Sequence, residues 1–185
     1  MDKLTPETTC LLLVDVQEKL AAAIPEASMA RLVANARILL EAARLLRVPV
    51  IASEQYPKGL GPTIAELRDP LAAAGATPIE KIDFDACAEP AIARAVSASG
   101  ARSIVVVGME AHICVFQTAR ELVRRGYAAH VVADAVASRT EENRLAGLAL
   151  AERAGAIPTV TETVAFDWLG RAGTDAFKAV SRLVR

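Results

Sequence analysis

Short apolar runs alternate with longer amphipathic segments along this chain. Residues 10–14 form a continuous apolar run that ends at Asp15, which is typical of a strand buried on both faces of a parallel sheet. Met29–Arg47 instead repeats its apolar residues at intervals of three and four, which predicts a helix. The same reasoning predicts six strands in all, over Cys10–Val14, Val48–Ala52, Thr77–Glu80, Ser103–Val107, Tyr127–Ala133 and Ile157–Thr161.

Most segments between those strands have apolar residues at helical spacing. The predicted helices are Met29–Arg47, Thr63–Arg68, Glu89–Ser99, Ile113–Arg125, Glu141–Ala154 and Asp175–Leu183, with loops at 54–62 and 81–87. Strands joined by helical crossovers form a parallel sheet with helices on both faces. We therefore predict an α/β fold, namely a three-layer α/β/α Rossmann-like fold with a six-stranded parallel sheet. Because no linker, repeat or low-complexity segment interrupts the pattern, we expect one domain over residues 1–185.

Composition and charge indicate which classes of binding partner the protein can have. The 185 residues are 53% hydrophobic but only 4% aromatic, so small aliphatic side chains must fill the core. This apolar enrichment predicts burial against another subunit, and we expect a homo-oligomer, most simply a dimer. With 21 basic and 22 acidic residues the net charge is −1, which predicts neither a nucleic-acid nor a membrane-surface partner.

The first residues and the cysteines bear on location. The segment MDKLTPETT has no basic stretch followed by an apolar one, so we expect no signal peptide. No apolar run approaches the roughly 18 residues that a membrane span needs. The three cysteines, Cys10, Cys87 and Cys114, are odd in number and widely spaced, which fits neither a disulfide framework nor a zinc site. A cytoplasmic protein is therefore expected.

Cys114 is the strongest candidate for a catalytic group. The segment SIVVVGMEAHIC (103–114) is an apolar strand followed by a turn, and Cys114 lies where the next helix should begin. Free backbone N–H groups and the positive end of the helix dipole favour a thiolate there, so we predict a nucleophile with a lowered pKa. Cys10 lies within a buried strand and Cys87 within a loop, and we expect both to be structural.

Two charged residues occupy positions equivalent to that of Cys114, each at the carboxyl end of a predicted strand. Asp15 follows LLLV, and Lys81 follows TPIE. The carboxyl ends of parallel strands share one edge of the sheet, so these side chains can converge on the thiol. The carboxylate can then accept the proton of the thiol, and the ammonium can stabilise both anions. A turn cap at Asp15 and a solvated Lys81 are the structural alternatives.

Other polar residues give weaker signals. His112 could form a Cys–His pair, but residues two apart rarely face each other in a turn, and His130 lies within a strand. Two histidines without an Asp-x-His pattern predict no metal site, and the lack of a glycine-rich phosphate loop predicts no nucleotide cofactor. We therefore expect neither a metal nor a cofactor. Asp134, Ser138 and Arg139 form a polar cluster for which helix capping, subunit contact and pocket lining stay open.

Five segments together resemble the isochorismatase-like cysteine hydrolase family, and in particular its isochorismatase domain-containing branch. They are LLLVDVQEKL around Asp15, SEQYPKGLGPT at 53–63, EKIDF around Lys81, VVVGMEAHICVFQTA around Cys114 and VVADAVASRTEENR at 131–144. The resemblance implies Asp15 as general base, Lys81 as its supporting charge and Cys114 as nucleophile. It also implies a cis peptide bond between Met109 and Glu110, which would aim the N–H of Glu110, with that of Cys114, at the substrate carbonyl as an oxyanion hole.

The sequence departs from two branches of that family. Nicotinamidases carry an Asp-x-His metal set after the second strand, where this chain reads SEQYPKGLGP. Isochorismatases that cleave a vinyl ether do not depend on a cysteine nucleophile, whereas this chain retains one. Both departures favour a small amide, or a related acyl compound, hydrolysed through a Cys114 thioester. The residues that flank the motifs are candidate pocket walls: Gln17, Tyr56, His112, Ile113 and Phe116.

Other functions stay open at this point. Nicotinamidase-like or isochorismatase-like activity is the alternative within the family. A non-catalytic binding or assembly module agrees with the apolar composition and with the absence of a polar substrate signature in the pocket loops. A redox-sensing thiol would follow from a lowered pKa, although neither other cysteine is near Cys114 in sequence to act as its resolving partner.

Overall fold

The computed structural model describes residues 2–184, which contain a six-stranded parallel sheet. Met1 and Arg185, the first and last residues of the predicted domain, lie outside the described residues. The strands are β1 (Thr9–Val14), β2 (Val50–Gln55), β3 (Ile79–Lys81), β4 (Ser103–Met109), β5 (Ala128–Ala137) and β6 (Ile157–Thr159). They lie in the order β3-β2-β1-β4-β5-β6 and every neighbouring pair is parallel, so the predicted sheet is confirmed.

Helices cover both faces of the sheet. Within residues 2–184 they are α1 (Glu18–Ala21), α2 (Glu26–Leu46), α3 (Pro57–Leu60), α4 (Ala65–Ala73), α5 (Pro90–Ala98), α6 (Phe116–Arg124), α7 (Glu141–Arg153), α8 (Thr161–Leu169) and α9 (Asp175–Leu183). The apolar sides of α2, α4, α8 and α9 are buried on one face, and those of α5, α6 and α7 on the other. The predicted three-layer α/β/α fold is therefore confirmed. None of the helices in this part of the chain combines the length and apolar character that crossing a membrane requires.

The central strand β1 supplies both halves of the core by alternation. Leu11 and Leu13 join the apolar cluster beneath α2, whereas Cys10, Leu12 and Val14 join the cluster beneath α6. Successive side chains of a strand point to opposite faces of the sheet. A strand that is covered on both faces therefore needs apolar residues at every position, which explains the unbroken run at 10–14.

Several strand boundaries differ from the sequence prediction, those of β3 and β5 among them. β3 begins two residues later than predicted and ends on Lys81, which is therefore part of the strand and not of the following loop. β5 continues beyond Asp134 to Ala137, after a register irregularity opposite Val106 and Gly108 of β4. Lys81 is thus held by the regular strand β3, at the edge of the sheet that carries the candidate catalytic residues.

Helix α8 is absent from the sequence prediction, which extends the sixth strand to Thr161. In the structure β6 ends at Thr159, and Asp134 fixes the start of α8 because its Oδ1 accepts 2.9 Å hydrogen bonds from both the N and the Oγ1 of Thr161. Gly170, with φ 67°, ends the helix. The residues that α8 buries lie three and four positions apart: Thr161, Val164, Ala165, Trp168 and Leu169.

The strand order determines where a site can form. From β1 the chain builds β2 and β3 on one side, and it then returns to build β4, β5 and β6 on the other. The connections therefore diverge between the carboxyl ends of β1 and β4, which leaves a crevice of the kind in which open α/β sheets bind ligands. Asp15 directly follows β1, and Cys114 follows the end of β4 by five residues. The fold thus brings both residues to this crevice.

Gly108 allows β4 to approach β1 closely beside the crevice. It has φ 135°, and a Cβ atom there would lie 2.1 Å from the carbonyl oxygen of Val14. We expect Gly108→Ala to lower the free energy of unfolding by more than the about 1–2 kcal/mol that a left-handed backbone alone costs. Gly126→Ala is the matched control, because Gly126 has φ 86° but open space around its Cβ position. Chemical denaturation measures both losses, and equal losses would show that the close approach is unimportant.

Candidate active site

Asp15 and Lys81 form a completely buried ion pair at the carboxyl edge of the sheet. Lys81 Nζ lies 2.7 Å from Asp15 Oδ2, and neither side chain is exposed to solvent. The pair joins the ends of β1 and β3 across β2, as the parallel order requires. Burial of two charges is costly unless their remaining donors and acceptors are also satisfied.

Both charges do have further polar partners. Ser53 Oγ donates a 2.7 Å hydrogen bond to Asp15 Oδ1. Lys81 Nζ donates to Gln55 Oε1 at 2.6 Å and to the carbonyl oxygens of residues 83–84 at 3.1 and 3.4 Å. These three acceptors can take the three ammonium hydrogens, so Asp15 Oδ2 contacts the ammonium but accepts no well-directed hydrogen bond within the described part of the chain. This oxygen therefore keeps the capacity to accept a proton.

Two buried amides hold the strands that carry the ion pair. Gln17 Oε1 accepts a 2.7 Å hydrogen bond from Gln55 N, and Gln17 Nε2 donates to the carbonyl oxygens of Gln55 at 3.0 Å and Gly61 at 2.6 Å. Gln55 Nε2 in turn donates to the carbonyl oxygen of Ile82. Gln17 is a predicted pocket wall, but in the structure it is completely buried and its amide fixes the backbone around the site.

The turn between β4 and α6 differs from the prediction. All peptide bonds of residues 2–184 are trans, so the expected cis bond between Met109 and Glu110 is absent. Glu110 instead reverses the chain in the left-handed conformation, with φ 55° and ψ 67°. Its carbonyl oxygen accepts the N–H groups of Ile113 at 2.9 Å and Val115 at 3.3 Å. The cis bond was expected to aim the N–H of Glu110 at the substrate, whereas the structure turns the chain at a left-handed residue that follows a trans bond.

Helical structure begins two residues earlier than predicted, with a π-helical turn over Ala111–Val115 that leads into α6. Helix α7 supports this turn directly. A Cβ atom on Gly147 of α7 would lie 2.4 Å from the carbonyl carbon of Ala111 and 2.5 Å from His112 N. The backbone of α7 therefore packs against the turn that carries Cys114.

Cys114 lies in this turn beside the ion pair, with 4% of its surface exposed. The pKa of its thiol is raised to about 12, chiefly by burial and then by the charge of Asp15, whereas the Lys81 ammonium acts to lower it. The predicted lowering of this pKa is therefore wrong, because desolvation and a neighbouring carboxylate outweigh the dipole of a short turn. A thiol with this pKa holds its proton at neutral pH.

The thiol pKa does not distinguish Cys114 from the other two cysteines. Burial raises the pKa of Cys10 and that of Cys87 to about 12 as well. What sets Cys114 apart is its position, since the charges of Asp15, Lys81 and Glu110 act on its thiol.

The remaining predicted pocket residues differ in exposure. Tyr56 is half exposed, whereas Ile113 and Phe116 pack partly buried against the core beneath α6. The ring of Phe116 lies 5.0 Å from the guanidinium carbon of Arg120. A cavity of about 830 Å³ does open on the protein, but it lies between α1, α2 and Ile64, away from the ion pair.

The histidines and the polar cluster after β5 have structural partners. His112 Nδ1 lies 3.1 Å from Ser138 Oγ and 3.3 Å from a Glu110 carboxylate oxygen, so its contacts do not support a Cys–His pair. His130 is buried in β5, and this burial lowers its pKa. Arg139 Nε lies 3.0 Å from the other Glu110 oxygen. Among residues 2–184, no three side chains of His, Cys, Asp or Glu converge as metal ligands would.

Sequence reasoning missed Ser53 and Gln55, which hold the ion pair, because it ends the second strand at Ala52 and assigns 54–62 to a loop. A signal was present, since polar residues at alternate positions share one face of a strand. Both side chains are buried, whereas Glu54 between them is half-buried. The carboxylate of Glu110 was also missed, because only its backbone N–H had been considered.

Comparison with known proteins identifies the family of this chain. The sequence profile of the Isochorismatase domain matches residues 9–163. The chain belongs to the isochorismatase family. Isochorismatase domain-containing protein 2 of Danio rerio is 36% identical to it over 182 residues, which cover 98% of this chain and 89% of that protein. The predicted family and its domain-containing branch are therefore confirmed.

Solved structures show the same fold. The MAR1 ribonuclease of Caenorhabditis elegans matches with a TM-score of 0.90 and 36% identity, covering 99% of this isochorismatase family chain and 92% of that chain. N-carbamoylsarcosine amidase from Thermoplasma acidophilum matches with a TM-score of 0.70 and 24% identity, covering 84% and 97% of the two chains. The second likeness is one of fold alone.

If Asp15 simply activated the thiol, removal of its charge would raise the pKa of Cys114. The charges at the site predict the opposite. Asp15→Asn removes a charge that raises the pKa of Cys114 and leaves the Lys81 cation that lowers it. We expect the Cys114 thiolate to form at a pH about 1–3 units lower in this variant. Thiolate absorbance in the ultraviolet, corrected with the same variant carrying Cys114→Ala, measures the midpoint.

The matched control for this titration is Asp85→Asn. Asp85 acts on the thiol of Cys87 and not on that of Cys114, so the Cys114 midpoint should stay unchanged. An unchanged or higher midpoint in Asp15→Asn would mean that the carboxylate does not face the thiol.

Proposed function

We propose that this isochorismatase family member is a hydrolase that cleaves a small amide, or a related acyl compound, through a thioester on Cys114. The observation that carries the proposal is the buried Asp15–Lys81 pair beside the buried thiol of Cys114, at the carboxyl edge of the sheet. A general base within reach of a thiol is the arrangement that nucleophilic catalysis by cysteine needs. The amidase named among the structural neighbours adds support from a shared fold.

In the proposed reaction Asp15 accepts a proton and releases it again, once in each of two steps. Asp15 Oδ2 accepts the proton of the Cys114 thiol as the sulfur attacks the substrate carbonyl carbon. The same proton passes to the nitrogen as the C–N bond breaks, which releases the amine and leaves a thioester. A water molecule then gives a proton to Asp15 and attacks the thioester carbonyl. The acid departs, and the sulfur regains its proton from Asp15.

Lys81 and the turn have complementary roles in this scheme. The Lys81 ammonium lies 2.7 Å from Asp15 Oδ2 and orients that side chain between proton transfers. The N–H groups of Glu110 and Cys114 are the proposed donors to the substrate oxygen, and loss of one such donor costs about 2.7–4 kcal/mol in the transition state. With a trans bond before Glu110, the left-handed residue itself orients its N–H.

The surroundings of the site favour a small substrate with an apolar substituent. Cys114 is almost completely enclosed, which limits the size of the group that can reach its sulfur. Two strongly exposed apolar side chains, Ile82 and Phe84, lie on the loop whose backbone is held by Gln55 and Lys81. We expect this loop to contact an apolar substituent of the substrate. The predicted homo-oligomer would cover such side chains, and it stays a prediction.

A panel of substrates tests the proposed reaction and its rivals. We expect hydrolysis of one or more small aliphatic amides, and Cys114→Ala should reduce it by about 10³-fold or more while the protein stays folded. Nicotinamide and isochorismate test the alternative activities of the family, and an RNA oligonucleotide tests the activity named for the Caenorhabditis elegans neighbour. Circular dichroism verifies the fold of each variant.

Cys87→Ala is the matched control for this panel, because Cys87 is equally buried and its thiol pKa is raised to about 12 as well. Its turnover should equal that of the wild type. Cleavage of RNA, or amide hydrolysis that survives Cys114→Ala, would overturn the proposal. A protein that cleaves nothing in the panel would favour the binding-module alternative.

A further inference from the structure

We propose that the side chain of Glu110 is a positioning residue for the Cys114 turn, clamped by Arg139 and His112 so that it fixes the geometry of the attacking sulfur and the oxyanion donor. This inference rests on the proposed function and adds to it a role for three side chains that the mechanism does not use. Here the Glu110 clamp means Glu110, His112, Ser138 and Arg139.

The backbone of Glu110 needs an external restraint. It is one of the few non-glycine residues of the described chain with positive φ, and left-handed backbone at such a residue persists only where its surroundings enforce it. Glycine would take up this conformation without strain. A large acidic residue at this position, 95% buried, therefore suggests that its side chain is needed.

The restraint is visible in the contacts of the Glu110 carboxylate. One oxygen lies 3.0 Å from Arg139 Nε. The other lies 3.3 Å from His112 Nδ1 but accepts no well-directed hydrogen bond within the described part of the chain. His112 Nδ1 also lies 3.1 Å from Ser138 Oγ. Arg139 and Ser138 directly follow β5, whereas Glu110 and His112 belong to the turn after β4. The Glu110 clamp therefore ties the turn to the neighbouring strand.

The Glu110 clamp acts on Cys114 through backbone hydrogen bonds of the turn. The carbonyl oxygen of Glu110 accepts the N–H groups of Ile113 and Val115, the residues on either side of Cys114. On the other side of the turn, Gly147 of α7 leaves no room for the backbone of Ala111 to move away. The turn is therefore restrained by α7 on one side and by the Glu110 clamp on the other. Displacement of a reacting group by about 1 Å can cost about 100-fold in rate.

A double-mutant cycle on Glu110 and Arg139 tests this inference in the full-length protein. We expect Glu110→Ala and Arg139→Ala each to lower kcat by about 10- to 100-fold with KM changed by less than about twofold. The double variant should be no worse than Glu110→Ala alone, because both changes break the same contact. Glu110→Gln, which keeps the shape and can still accept from Arg139, should recover most of the loss.

Two further variants separate the clamp from general stability. Glu110→Gly relieves the backbone strain but removes the carboxylate, so it should lose kcat as Glu110→Ala does. Glu41→Gln breaks a solvent-exposed Glu–Arg pair on α2 and should leave kcat unchanged. Wild-type kcat in Glu110→Gly, additive losses in the cycle, or losses confined to KM would each overturn the inference.

Hydrogen exchange of the backbone amides provides a readout that needs no substrate. Exchange at residues 109–116, followed by mass spectrometry, should accelerate in Glu110→Ala and in Arg139→Ala and stay unchanged in Glu41→Gln. If the wild type hydrolyses no amide, the proposed function fails, while this exchange still decides whether the clamp holds the turn. Unchanged exchange in both clamp variants would refute the clamp whatever the activity.

Discussion

A buried ion pair is the constraint on which the rest of this site depends. The charges of Asp15 and Lys81 are both fully removed from solvent, and such burial is tolerated only when each group is paired and hydrogen-bonded. Ser53, Gln55 and two loop carbonyl oxygens meet that requirement, and Gln17 holds Gln55 in place. The hydrogen bonds that stabilise this one pair of charges therefore fix the ends of β1, β2 and β3 relative to one another.

The same pair determines the state of the nucleophile. A carboxylate beside a buried thiol raises the pKa of that thiol, so Cys114 is held as a thiol and not as a thiolate. In the proposed reaction, proton transfer to Asp15 therefore accompanies attack on the substrate and does not precede it. This state argues against the redox-sensing alternative, because oxidation proceeds through the thiolate.

The fold could be predicted from the sequence because its signals are local. Apolar runs such as residues 10–14 identify buried strands, and the parallel order then brings their carboxyl ends together, so Asp15, Lys81 and Cys114 could be placed at one edge. Helix α8 was predictable in principle, since Val164, Ala165, Trp168 and Leu169 follow helical spacing. It was missed because the sixth strand was extended to Thr161, which Asp134, distant in sequence, makes the first residue of a helix.

What could not be predicted depends on contacts between segments far apart in the chain. The raised pKa of Cys114 follows from burial, which a sequence pattern at a strand–helix junction does not reveal. The left-handed Glu110 and its carboxylate depend on Arg139 and His112, and the partners of Lys81 depend on β2. Residue types alone identified the catalytic candidates, but their hydrogen-bonding partners required the assembled sheet.

The most direct measurement of the central claim is a double-mutant cycle between Asp15 and Lys81 that reads both stability and turnover. Asp15→Asn or Lys81→Met alone leaves one buried charge unpaired, and each should lower the free energy of unfolding by about 3–5 kcal/mol. The double variant, which buries no charge, should regain most of that stability but none of the amide hydrolysis. A double variant that regains both would show that the pair is structural and would contradict the catalytic account.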